Sequence, residues 1–173
     1  MGVLFFKGCI MPVDKVWLHN SFQNGSVNNE YFKDFQYFNE AEIDLLLEFI
    51  DAVIEGKPLK GRNKPSWHDS SGSDIKVARG YKESNVWHYH AGPFTESAQL
   101  TTSNIRQANY AKNTSDAVFH YTWRGTEQTE LIILGFSPQH ETFPLPSDKG
   151  NPLRNRMRVA GKYPDASLKE AKG

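Results

Sequence analysis

The run TELIILGF, residues 129–136, constrains this chain more than any other stretch. Successive side chains of a strand point to opposite faces of a sheet. Here both alternating sets are apolar, so the run predicts a central strand buried on both faces. VWHYH at 86–90 and AVFHYTW at 117–123 also read as strands. RGTEQ, residues 124–128, connects the second of these to the central strand as a hairpin. Val13, Val16, Trp17, Leu18 and Phe22 predict a first strand over 13–22.

One helix is well marked. In NEAEIDLLLEFIDAVIEG, residues 39–56, Asn39 is the expected N-cap, acids fill the first turn and Gly56 is the stop. Ile43, Leu46, Leu47, Ile50 and Ile54 recur at helical spacing and define its apolar face. Residues 56–74 read as a long basic loop rich in Gly, Pro and Ser, and 97–116 as a polar insertion or mobile loop. A short helix is expected near 153–159. The order is strand, helix, then a run of antiparallel strands, which is an α+β pattern in one domain spanning 1–173.

The single cysteine, Cys9, permits no disulfide within the chain and points to a reducing, cytoplasmic setting. It lies in GVLFFKGCI, a run too short to span a membrane and lacking the flanks of a secretory signal. Residues 1–12 read as a strand or a leader, with Met11 as an alternative start. The formal net charge is zero, which argues against long-range capture of nucleic acid. The charge is nonetheless uneven. Residues 30–55 carry eight acids against Lys33, whereas 57–82 carry seven bases against Asp69 and Asp74, and 148–173 seven bases against three acids. The basic stretches flank the histidine-bearing strands.

Strand alternation puts His88 and His90 on one face with Val86, and Trp87 and Tyr89 on the other. His120 goes with Val118 and Thr122. His140 follows the central strand in SPQH. Such histidines fit three kinds of role. They can be half-buried residues satisfied by hydrogen bonds. Two at i and i+2 on a strand can share a metal ion. HYHAGPFTE, residues 88–96, is similar to the first cupin motif in having two histidines and then a glutamate, although the glutamate stands farther along and the flanking glycines are absent. Third, histidine titrates near neutrality and can take a proton from one oxygen and give one to another. RNA cleavage needs that chemistry, with Lys and Arg supplying cations when no metal does. KGRNK at 60–64 and RNRMR at 154–158 are the local cation supply.

The order of helix LLLEFIDAVIEGKPLKGR, strand VWHYHAG, hairpin SDAVFHYTW to TELIILGFSPQH, and basic tail resembles the YafO-type mRNA interferases, toxins of type II toxin–antitoxin systems in the wider RelE/ParE-like group. The likeness runs over about 13–160 and matches at Gly61, Arg62, His88, His90, Tyr121, Pro138 and His140. It implies a small curved antiparallel sheet with N-terminal helices on one face. It implies metal-independent cleavage of mRNA on ribosomes, no cofactor, and a cognate antitoxin as partner. By this likeness His88, His90, His140 and Arg62 form the catalytic set. Lys60, Lys64, Arg154, Arg156 and Arg158 would bind RNA, and Tyr121 would stack on a base or sit in the core. The long segment 97–116 and the zero net charge depart from the family. A non-catalytic module of the same fold that docks a ribosome or a protein is the second reading, and a cupin-like metal enzyme the third.

Overall fold

A computed structural model describes residues 12–94, 102, 104–110, 113–140 and 144–171. Cys9, Met11 and most of the expected leader lie outside these residues. The fold is α+β. Its strands are β1 (Lys15–His19), β2 (Asn63–Pro65), β3 (Trp87–Gly92), β4 (Ala117–Arg124), β5 (Glu130–Ser137) and β6 (Leu168–Glu170). The helices are α1 (Asn20–Gln23), α2 (Glu40–Glu55) and α3 (Arg79–Glu83). No helix among the described residues is long and apolar enough to cross a membrane.

The sheet order is β2-β3-β4-β5-β1-β6. All pairs are antiparallel except β1 with β5, which are parallel. A wholly antiparallel sheet is therefore corrected at that one seam. Parallel neighbours need a long crossover, and here the chain runs through α2, β2, β3 and β4 before it returns as β5. β5 lies between β4 and β1 with its apolar run buried throughout, as its double alternation requires.

The first strand stops earlier than its composition predicts. Nδ1 of His19 accepts from the Ser21 backbone N–H at 3.1 Å, which caps α1 and turns Phe22 into the core from a helix. α2 begins as expected. The Asn39 side chain accepts from Glu42 N–H, and the Glu42 carboxylate accepts from Asn39 N–H, both at 2.9 Å. Gly56 ends it in the left-handed region. Its buried face is rotated from the expected one. Leu46, Phe49, Ile50 and Val53 face inward, whereas Leu47 is exposed. Phe49 fixes the rotation by stacking on Tyr89 and Phe119, at ring distances of 4.9 and 5.4 Å.

α2 covers one sheet face, formed by Trp87, Tyr89, Phe119, Tyr121, Trp123, Leu131 and Ile133. The other face is covered by Phe32, Tyr81, Leu153 and Tyr163 over Ile132 and Leu134. β4 and β5 are bulged: His120 pairs with Gly135 but Tyr121 with Ile133, leaving Leu134 over. The Leu134 carbonyl accepts from Arg156 Nη1 at 2.9 Å. Instead of the short helix expected at 153–159, that region forms two 3-10 turns, Pro152–Asn155 and Val159–Gly161.

Arg156 also donates to Asp34 Oδ1 at 2.8 Å, and both side chains are almost wholly buried. Asp34 Oδ2 accepts from Val27 N–H at 2.9 Å. This pair ties the loop before α2 to the C-terminal layer. Asp34→Ala strands the Arg156 charge and is expected to cost about 3–5 kcal/mol of unfolding free energy. Urea denaturation measures it; a loss under about 1 kcal/mol would mean that the charge finds water.

Candidate active site cleft

The histidine face of β3 is made by its neighbours. β2 and β4 flank it, so Lys64, His88 and His120 stand in register across three strands. Their alternates, Tyr89 and Phe119, pack against α2 on the other side. The chain entering β2 presses closely on β3. A Cβ on Gly61 would lie 1.7 Å from the His90 carbonyl oxygen, so only glycine fits there. The His90 N–H then donates to the Arg62 carbonyl at 2.9 Å, which sets Arg62 beside His90.

His140 arrives from the end of β5. Its ring centroid lies 5.0 Å from that of His88 and 4.7 Å from that of His90. One ring nitrogen of each of the three lies within 4.8 Å of the others. His88 Nδ1 hydrogen-bonds Ser66 Oγ at 3.0 Å. His90 Nδ1 faces Ser115, 2.8 Å from its carbonyl and 2.9 Å from its N–H, so the tautomer decides which bond forms. Ser115 is itself fixed: its Oγ accepts from Gly92 N–H and donates to the Ala117 carbonyl, both at 2.9 Å. His120 stands one strand over, its ring 6.5 Å from His88 and its Nε2 2.7 Å from Ser137 Oγ.

The cluster opens on a cleft of about 390 Å³ lined by Arg62, His90, Pro93, Thr114, Ser115, Asp116 and His140. His140 is the half-buried member. His90 shows only its edge, and His88 lies behind both. Burial is the main cause that keeps these rings neutral. It pushes His90 down to about 3, with help from His140. It holds His88 well below the ordinary range, and His140 lower too. Asp116 acts on His140 in the opposite direction. Lys64 is pushed down to about 8, by burial first and Arg62 second. Its ammonium donates to the carbonyl oxygens of His68 and Asp69. Neutral imidazoles beside a guanidinium can accept protons from a ligand whose negative charge the guanidinium holds.

The four residues of the expected catalytic set, Arg62, His88, His90 and His140, therefore come together. The expected RNA-binding set does not. Lys64 is buried beside His88, whereas Lys60, four positions earlier, is exposed. Of the two readings of Tyr121, the structure places it in the core. It is wholly buried on the α2 face, and its Oη donates to Asn63 Oδ1 at 2.5 Å. Arg156 is corrected to the structural partner of Asp34. Arg154 and Arg158 are exposed but do not line the cleft. The described part of 97–116 is fastened to the body rather than loose. Asn63 Nδ2 donates to the carbonyls of Ile105 and Gln107 at 3.0 Å, and Ile105 is buried. Sequence reasoning missed Ser66, Thr114, Ser115 and Asp116, which sit in loops with no periodic signal. It left out His120, whose place on the His88 face follows once β3 and β4 are paired. Glu96, the glutamate of the cupin-like motif, lies outside the described residues.

The chain matches no protein-family model, no curated protein and no solved structure.

Two buried histidines outside the cleft make stability depend on pH. Burial, then Arg156 and Arg158, lowers His19 to about 4. Burial, then His140, His90 and Arg156, lowers His120 to about 3. The unfolded chain binds protons near pH 6.5 that the folded chain refuses, so this stability is complete above that pH and falls as the pH drops. Each is expected to cost about 1–2 kcal/mol between pH 7 and pH 5. His19→Asn keeps an acceptor for the Ser21 N–H and removes one titrating group. Urea midpoints at the two pH values should therefore fall less for the variant than for the wild type. Equal falls would contradict the account.

Proposed function

We propose that the protein is a ribosome-dependent endoribonuclease of the mRNA-interferase kind, working in the cytoplasm and held inactive by a cognate antitoxin. The observation that carries this reading is one cleft in which the Arg62 guanidinium stands with the His90–His140 pair. The matched order of Gly61, Arg62, the His-x-His strand and Pro138-x-His140 supports it.

In the proposed reaction Arg62 holds a non-bridging phosphate oxygen and stabilises the crowded phosphorane. His140, the member nearest solvent, takes the proton of the 2′-hydroxyl. O2′ attacks phosphorus, the P–O5′ bond breaks, and the products are a 2′,3′-cyclic phosphate and a 5′-hydroxyl. The 5′-oxygen needs a proton. Phosphate against Arg62 adds negative charge beside both rings and opposes the depression that burial causes, so His90 can carry that proton when RNA is bound. His88, tied to Ser66, acts behind the pair as a positioning residue. The cation in this scheme is Arg62, so the cleavage requires no metal.

A defined transcript incubated with the protein and a reconstituted translation system tests the reading. Cleavage is expected only with ribosomes, leaving cyclic-phosphate ends. Arg62→Ala and His140→Gln should each slow it by about 10²–10³-fold without a matching loss of stability. Tyr121→Phe should act on stability alone. Intact transcript from folded protein would overturn the nuclease reading in favour of a docking module. Cleavage that survives both variants would move the chemistry out of this cleft.

A further inference from the structure

We propose that His88, His90 and His140 form a binding site for one divalent transition-metal ion of borderline softness, with zinc the best match. The inference goes beyond the nuclease reading and does not depend on it. Three ring nitrogens, two from β3 and one from the segment after β5, lie within 4.8 Å of one another, and the His90 and His140 side chains line the cleft. Tetrahedral zinc with bonds of about 2.0–2.1 Å sets its ligand atoms about 3.3–3.4 Å apart, so binding would draw the three nitrogens together by at most about 1.5 Å.

The surroundings of the rings have the form that metal-bound histidines use. Such a histidine turns its second nitrogen to a fixed polar partner, which sets the tautomer and the ring plane. Nδ1 of His88 faces Ser66 Oγ, and Nδ1 of His90 faces the Ser115 carbonyl. With Nδ1 so engaged, Nε2 of each would be the coordinating atom. Nε2 of His90 is buried and has no hydrogen-bond partner among the described residues. An all-nitrogen set without a carboxylate is a poor match for calcium or magnesium, which take oxygen ligands. Imidazole suits zinc, copper, nickel and iron. Three protein ligands leave one tetrahedral position open to the cleft, where water or a ligand would sit. Arg62 and Lys64 stand close enough to act electrostatically on the cluster, so affinity should be moderate.

The test is a titration of the purified full chain, without RNA, so that it reads the site whether or not the nuclease reading holds. Zinc is competed against a chromogenic chelator, and cobalt(II) is followed by its visible absorption. One equivalent is expected at micromolar affinity or tighter, with a tetrahedral cobalt spectrum. His140→Ala should weaken zinc at least about 100-fold and Ser66→Ala about tenfold. His19→Asn, at the end of β1 outside the cleft, should leave binding unchanged. X-ray absorption of zinc-loaded wild type needs no variant, and it should find three imidazole nitrogens near about 2.0 Å. Binding weaker than about 1 mM, equal affinity in folded His140→Ala, or fewer than three imidazoles around zinc would overturn the site.

Discussion

The cleft depends on one constraint, the two-residue alternation of β3 between a core face and a histidine face. Trp87 and Tyr89 are drawn against α2 by burial of their rings, with Phe49 stacked on Tyr89. That packing fixes the register of the strand and leaves no choice about where His88 and His90 point. A slip of one residue would send both histidines into the aromatic core. The site is therefore held by hydrophobic energy on the far side of the sheet.

Two further features complete it from segments far apart in the chain. Gly61 lets the segment before β2 lie against the His90 backbone, which places Arg62. The end of β5 brings back His140. The histidines are buried among themselves and next to cations, so protonation is disfavoured in the free site. Phosphate can relieve that exclusion by adding negative charge, and a metal ion can take the same lone pairs. The chemistry available to the cleft is governed by which of these arrives.

The sequence made some of this legible and hid the rest for identifiable reasons. β5 was readable because both of its faces are apolar, and α2 because Asn39 and Gly56 bracket it. The rotation of α2 was not, because Leu47 satisfies the helical spacing as well as Phe49 does, and only the facing rings of Tyr89 and Phe119 decide between them. β2 and β6 are three residues each, too short to carry a period. The parallel seam of β1 with β5 depends on chain routing that composition does not encode. The positions of His88 and His90 followed from alternation, and the convergence of His140 on them required the pairing of β3 with β4 and of β4 with β5. Arg156 looked like a ligand contact, and Tyr121 kept two readings, because charge and aromaticity are shared by binding residues and by core residues. Their partners Asp34 and Asn63 lie more than 50 positions away, out of reach of any local pattern.

The neutral histidine cluster beside Arg62 should change its protonation when a phosphate enters. Histidine ring resonances of isotopically labelled protein, followed from pH 8 to pH 5 with and without a 3′-nucleotide monophosphate, test it most directly. In the free protein His88 and His90 should remain neutral throughout, and His140 should titrate below its ordinary range. With nucleotide bound, the titration of His90 or His140 should move upward, and Arg62→Ala should abolish that movement. Titration of these rings near the ordinary value of about 6.5, indifferent to nucleotide, would contradict it.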